Sequence, residues 1–90
     1  MYSLFLTDKA KADLAILKRN ELAAYKKAQK LIVELMEHPT TGTGHPEQLK
    51  GDKVEKWSRH ITSKHRLIYE IKEDVVIVNV LAAYGHYGDK

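Results

Sequence analysis

Seven polar residues with acid–base or anion-binding potential lie in the second half of the ninety-residue chain. They are Glu47, Lys50, Arg59, His60, Arg66, His86 and Tyr87. A carboxylate, a guanidinium and an imidazole that meet over one surface can cleave RNA without a metal ion, because RNA supplies its own 2′-hydroxyl nucleophile. The carboxylate would take the proton from that hydroxyl, the cation would stabilise the charged phosphate, and the imidazolium would protonate the departing 5′-oxygen.

Each of these residues has a commoner structural explanation when it is considered alone. A glutamate in a loop is usually a solvated turn residue, and an arginine on a strand is more often a surface charge. His60 and His65 are typical strand histidines, and no histidine or acidic pair has the spacing of a metal site. The segment 42–44, Gly-Thr-Gly, lacks the Lys-Ser/Thr ending of a nucleotide-binding P-loop.

Composition and charge exclude several other classes of function. Because the chain has no cysteine, disulfides and thiolate chemistry are excluded. Charged residues interrupt positions 1–15, so no secretory signal is expected there, and the apolar run 75–83 is too short to span a bilayer. We therefore expect a single domain over residues 1–90, located in the cytoplasm and away from membranes. The net charge of +3 permits an anionic partner without requiring one.

The N-terminal part of the chain predicts one strand and two helices. Residues 2–6 are apolar and aromatic, as in a strand, and Thr7 suits the N-cap of a helix. Apolar side chains then recur at helical spacing, with a break at Asn20, until the residue before Pro39. Residues 39–52 contain both prolines and three of the five glycines, and this composition predicts a loop. A long loop in a small domain is often functional.

Three further runs predict strands, at 57–62, 66–71 and 75–81, the last buried on both faces. A hairpin loop at 62–64 places Trp57 opposite Tyr69 on one face of the sheet. The same register places His60 opposite Arg66 on the other face. The fold class is therefore α+β: a four-stranded antiparallel sheet with two N-terminal helices packed on one face.

Four blocks of sequence together resemble a known family. They are 42–50 (Gly-Thr-Gly-His-Pro-Glu-Gln-Leu-Lys), 57–62 (Trp-Ser-Arg-His-Ile-Thr), 65–69 (His-Arg-Leu-Ile-Tyr) and the pair His86 and Tyr87. In this order, and near this spacing, they closely resemble the YoeB (Txe) family, which are RelE-superfamily toxins of bacterial toxin–antitoxin modules. The resemblance implies a microbial-ribonuclease-like fold and a ribosome-dependent endoribonuclease that cuts mRNA in the A site. It implies no cofactor and no metal ion.

The resemblance also implies roles for the residues that match the family motifs. Glu47 would be the general base, Arg66 would stabilise the phosphate, and His86 would be the general acid. Tyr87 would orient the substrate or the histidine. If the tail is aligned by residue count instead of by its His-Tyr pair, the acid becomes Tyr84, which is a poorer proton donor.

Three more residues would bind the substrate. Lys50 and Arg59 would contact backbone phosphates, and His60 occupies the position of a second arginine in the family motif. An imidazole is shorter than a guanidinium and mostly neutral at pH 7, so a phosphate contact at His60 should be weaker.

The partners that the resemblance implies are mRNA on the 70S ribosome and an acidic antitoxin similar to YefM or Axe. Operator DNA would be bound only through the toxin–antitoxin complex, and a homodimer is left open. Two alternatives remain at this point: a non-catalytic toxin of the same superfamily that poisons gyrase, as ParE does, and a basic RNA-binding protein without catalysis. One Trp and one Phe are few for a base-stacking surface, which disfavours the last.

Overall fold

Two helices packed on one face of a five-stranded sheet make up the fold. The computed structural model of the protein describes residues 1–49 and 55–85. The elements are β1 (Ser3–Leu6), α1 (Asp8–Asn20), α2 (Leu22–Leu35), β2 (Glu47–Leu49), β3 (Glu55–His60), β4 (Arg66–Lys72) and β5 (Ile77–Ala82). The strand order across the sheet is β1-β5-β4-β3-β2. None of the helices in the described ranges is long and apolar enough to cross a membrane.

The predicted helix boundaries are confirmed, with a small difference at the end of α2. Thr7 is the N-cap of α1, and its Oγ1 accepts a hydrogen bond from the backbone N–H of Ala10 at 3.1 Å. The two helices are separated by Glu21 alone, directly after Asn20. α2 ends at Leu35, whereas the sequence pattern continued to His38.

The predicted hairpin register is also confirmed. Trp57 pairs with Tyr69, and His60 pairs with Arg66. Residues 62–64 form the loop, which is closed by a hydrogen bond of 2.9 Å from the Ile61 N–H to the His65 carbonyl. The aromatic pair and the basic pair therefore lie on opposite faces of the sheet, as the side-chain alternation predicted.

The prediction of four antiparallel strands is wrong in two respects. Residues 47–49, predicted to be loop, form β2 at the edge of the sheet, antiparallel to β3. β1 lies parallel to β5, so the sheet is mixed. Three residues are too few to show a periodic pattern, and side-chain alternation carries no information about the direction of a neighbouring strand.

The start of the last strand also differs from the prediction. Residues Glu73–Val75 form a 3₁₀ turn, and Val76 adopts a left-handed backbone with φ of 55°. Val75 and Val76 are both exposed. Although β-branched residues favour strands, the chain must reverse between β4 and β5, and the strand begins only at Ile77.

The core lies between the helices and the sheet, as predicted. Its large, fully buried hydrophobic side chains come from both helices, from β4 and β5, and from the residue after β3: Leu17, Leu31, Leu35, Ile61, Leu67, Tyr69, Val78 and Val80. α1 packs against α2, β1 and β5. The helix-facing side of the sheet is therefore committed to the core, and only the opposite side is available for chemistry.

Replacing Leu17 by Ala should destabilise the protein by about 2–5 kcal/mol, because Leu17 is 0% exposed and its removal leaves a cavity. Leu22→Ala, at a position 52% exposed, is the matched control and should cost less than about 0.5 kcal/mol. Urea unfolding of both variants measures the difference. Equal losses would contradict the placement of the core.

Candidate active site

The side of the sheet opposite the helices carries Glu47, Ser58, His60 and Arg66, and we call it the second face. Ser58 and His60 alternate with Arg59 along β3, so they point away from the helices. Glu47 pairs with Ser58, and Arg66 pairs with His60. Since directly paired residues of antiparallel strands share a face, all four side chains lie on one surface.

The register gives the approximate separation of the carboxylate and the guanidinium. Glu47 and Arg66 lie on strands that flank β3, about 10 Å apart across the sheet. They are offset by two residues along β3, which adds about 7 Å in the perpendicular direction. The two Cα atoms are therefore about 12 Å apart. Two long side chains on one face at this spacing can both reach a single ribose and its phosphate.

Two buried polar atoms on the second face have no hydrogen-bond partner within the described part of the chain. They are Nε of Arg66 and Oγ of Ser58. Buried donors are almost always paired, and an unpaired donor next to a surface often has a ligand or a water as its partner. The N–H of a permanently charged guanidinium suits an anionic acceptor such as a phosphate oxygen.

The loop that leads to Glu47 is attached to β3 beside this face. The backbone N–H of His60 donates to the carbonyl of Gly44 at 2.7 Å. Gly44 has φ of +88°, and a Cβ there would lie 3.0 Å from the His60 carbonyl, so only glycine fits. The ring of His60 packs edge-to-face on that of His45, with centroids 5.7 Å apart.

Arg59 is completely buried on the helix side, and its position contradicts the expected phosphate contact. Its Nη1 donates to Oε1 of Glu34 at 2.5 Å and to the Thr43 carbonyl at 3.3 Å. Its Nη2 donates to the carbonyls of His38 and Thr41, the latter at 2.7 Å.

The remaining donor of Arg59, Nε, contacts the hydroxyl of Tyr69 at 3.1 Å. All five N–H groups of the guanidinium therefore have acceptors inside the protein. Arg59 holds the 38–44 loop against α2 and β4 instead of binding an external phosphate. The sequence contained the signal for this: Arg59 shares its alternation with Trp57 and Ile61, which face the core.

Burial and charge shift the pKa values of two members of this cluster. Burial alone would raise the pKa of Glu34, but hydrogen bonds from Thr43 and the charge of Arg59 outweigh it and lower the pKa. Burial raises the pKa of Tyr69, whose hydroxyl donates to the Pro39 carbonyl at 2.7 Å. Glu34 is therefore held as a carboxylate that accepts from Arg59 and Thr43. Tyr69 is held as a neutral hydroxyl that donates to the Pro39 carbonyl.

Three of the residues expected at the site lie outside the described residues: Lys50, His86 and Tyr87. Tyr84, the alternative acid, lies just inside them, with its ring packed on that of His65 at a centroid distance of 4.4 Å. Within residues 1–49 and 55–85, no group of three histidine or acidic side chains could hold a metal ion.

Two helices over one face of a mixed sheet form the α+β architecture that solved YoeB- and RelE-type toxins share. A model of the YoeB-like toxin of bacterial type II toxin–antitoxin systems matches residues 6–87. The chain belongs to this family. Toxin YoeB of Streptomyces coelicolor is 42% identical over 62 residues, which are 69% of this chain and 71% of that protein.

Solved structures agree with this assignment. A YoeB/ParE toxin from Agrobacterium tumefaciens is 32% identical, with a TM-score of 0.85 over 94% of this chain and 99% of its own. The YoeB–YefM complex from Staphylococcus aureus, at 24% identity, matches the fold with a TM-score of 0.77 over 97% of this chain and 99% of that one. A YoeB dimer from the same species gives a TM-score of 0.81 at 24% identity, over 96% and 98% of the two chains.

Glu34→Gln should lower the stability at neutral pH by about 1–3 kcal/mol, because Arg59 then remains buried without its carboxylate. The folded-state pKa of Glu34 is lowered. Its contribution is therefore fully present above the pKa of an unfolded glutamate, about 4.3, and is lost as the pH falls through the folded value.

Urea unfolding of the wild type and the variant between pH 7 and pH 3 measures this dependence. The stability gap should close towards the acid end of the range. Glu37→Gln, at an exposed carboxylate close in sequence, is the control and should show no gap at either end. A gap for Glu34→Gln that stays constant with pH would contradict the ion pair.

Proposed function

We propose that the protein is a ribosome-dependent mRNA endoribonuclease that inhibits translation by cutting the message in the A site. The main support is the buried Nε of Arg66, which has no hydrogen-bond partner among residues 1–49 and 55–85 and lies on the same face of the sheet as the exposed carboxylate of Glu47. A donor that lacks an acceptor, beside a carboxylate able to act as a base, suits a phosphodiester with a neighbouring hydroxyl. Membership of the YoeB-like toxin family supports the same activity.

The reaction is a transfer of the phosphoryl group within the RNA. Glu47 removes the proton from the ribose 2′-hydroxyl, and the 2′-oxygen forms a new bond to phosphorus. The bond from phosphorus to the 5′-oxygen breaks, and His86 donates a proton to that oxygen. The products are a 2′,3′-cyclic phosphate and a 5′-hydroxyl. Arg66 stabilises the negative charge that accumulates on the phosphate oxygens in the transition state.

Chain connectivity supports the assignment of the acid to position 86. The backbone N–H of Arg66 donates to the carbonyl of Gly85 at 2.9 Å. Since neighbouring Cα atoms are 3.8 Å apart, the chain continues towards position 86 from a point next to the phosphate-binding arginine. Tyr87 would then orient the substrate or the acid.

The remaining substrate contacts in the proposal are Lys50 and His60. Lys50 directly follows β2 in the sequence, and His60 lies on the second face between Glu47 and Arg66. Both would contact the phosphates that flank the cut. Arg59 is no longer part of this set, because its donors are occupied within the core.

We propose further that the protein acts in the cytoplasm on mRNA bound to the 70S ribosome, and that an acidic antitoxin of the YefM type inhibits it. The YoeB–YefM complex of Staphylococcus aureus supports such a partner, and the YoeB dimer of that species supports a homodimer. Operator DNA would be contacted only through the toxin–antitoxin complex.

A gyrase-poisoning toxin is the second candidate, because the similar protein from Agrobacterium tumefaciens is described as YoeB/ParE. A toxin that acts only by binding does not need, on one surface, a carboxylate and a guanidinium N–H that has no acceptor among the described residues. The second face therefore favours the nuclease.

Glu47→Gln should reduce cleavage of a defined message on programmed 70S ribosomes by about 10²–10⁴-fold, because an amide cannot accept the 2′-hydroxyl proton. Primer extension locates the cut, and single-turnover kinetics measure its rate. Glu37→Gln changes an exposed carboxylate far from the second face and should cut at the wild-type rate.

Two results would contradict this proposal. One is an uncut message with the wild-type protein when an established RelE-type nuclease cuts in parallel. The other is an unchanged rate with Glu47→Gln, which would remove the carboxylate from the mechanism while leaving the nuclease assignment intact.

Removal of bound metal should leave the cleavage rate unchanged, because the proposed acid, base and phosphate-binding groups are all side chains. The protein is treated with EDTA, and the chelator is removed before ribosomes in Mg²⁺ buffer are added. Inactive protein that regains its rate with Zn²⁺ or Mn²⁺ would show that a metal ion takes part.

A further inference from the structure

Three backbone hydrogen bonds hold the segment that follows β5. The N–H of Ala83 donates to Oδ2 of the buried Asp13 at 3.0 Å. Two residues later, the N–H of Gly85 donates to Nδ1 of His65 at 3.0 Å. The carbonyl of the same glycine accepts from the N–H of Arg66. Both the N–H and the carbonyl of Gly85, the last described residue, are thus hydrogen-bonded.

His65 is held in one orientation by groups on both sides of its ring. Because Nδ1 accepts from Gly85, the ring proton must lie on Nε2. Nε2 is 2.9 Å from Oε2 of Glu21, the residue between the two helices, and donates to that carboxylate. His65 is 4% exposed, and its ring lies against that of Tyr84. Neighbours from the helix corner and from the chain terminus therefore determine both its tautomer and its position.

Gly85 has no side chain that could hold its position by packing. Its φ is +77°, and a Cβ placed on it would meet nothing within 4 Å. Among the described residues, the hydrogen bonds of its peptide groups constrain the path of the chain at this point, and His65 supplies one of them from its side chain.

We propose that His65 is a positioning residue for the catalytic reaction: it fixes Gly85, the residue from which the chain leads to the proposed acid His86 and to Tyr87. This inference rests on the proposed nuclease function. General acid catalysis needs the donor within hydrogen-bond reach of the leaving oxygen, and a misplacement of about 1 Å can cost about 10²-fold in rate. A correctly held Gly85 is therefore a condition for the acid to act.

Two amide substitutions separate the two contacts of His65. In His65→Asn the side-chain oxygen can take the place of Nδ1 and accept from Gly85, while the contact with Glu21 is lost. In His65→Gln the longer amide reaches Glu21, but no acceptor remains for Gly85. Each variant thus loses one hydrogen bond of the pair, and their losses in thermal stability should be similar.

Single-turnover cleavage on 70S ribosomes is the kinetic readout. We expect His65→Gln to lower the rate of the chemical step by about 10–100-fold, with the half-saturating ribosome concentration unchanged. His65→Asn should stay within about threefold of the wild type, since the Gly85 contact persists. Glu21→Gln retains an acceptor for Nε2 and should behave as the wild type. Equal rates for the Asn and Gln variants, or rates that follow thermal stability alone, would overturn the proposal.

Hydrogen exchange of the Gly85 amide, followed by NMR, tests the contact without reference to catalysis. The amide should be protected in the wild type and in His65→Asn, and its protection should be lost in His65→Gln. An unprotected amide in the wild-type protein would overturn the inference even if the nuclease is active. A protected amide in a protein that cuts no message would instead overturn the proposed function, and the catalytic role of His65 with it.

Discussion

The buried guanidinium of Arg59 is the interaction on which the rest of the structure depends. It joins a carboxylate of α2, three carbonyls of the 38–44 loop and a tyrosine hydroxyl of β4. A buried cation that loses its partners costs several kcal/mol, so the loop is held in the one path that supplies them. That path ends at Gly44 against the backbone of His60, and β2 begins with Glu47 shortly afterwards. The position of the proposed base is thus determined by an arginine that never reaches the substrate.

Alternate side chains of β3 point to opposite faces of the sheet, so residues that support the fold and residues proposed to contact the substrate lie on the same strand. Arg59 faces the helices and organises the loop, while its neighbours Ser58 and His60 face the proposed substrate. In a strand, neighbouring residues point to opposite faces of the sheet. The six residues of β3 therefore contribute both to the core and to the second face. The same alternation on β4 places Tyr69 in the loop-holding cluster and Arg66 on the second face.

The other end of the proposed site is organised in a different way. There the chain after β5 is held through its peptide groups by Asp13, His65 and the backbone of Arg66. Such contacts constrain the direction of the chain without demanding particular side chains in it.

The sequence by itself determined the elements whose signals are local. Thr7 as N-cap, the helix break after Asn20, the 62–64 hairpin loop and the common face of His60 and Arg66 all follow from capping chemistry or from alternation over a few residues. Only the tertiary structure decided that β1 lies parallel to β5, that Glu47–Leu49 forms an edge strand, and that His65 contacts both Glu21 and Gly85. The role of Arg59 was decided in the same way. These features depend on groups up to 74 positions apart in the chain, and no local pattern of side chains records which distant acceptor a donor will meet.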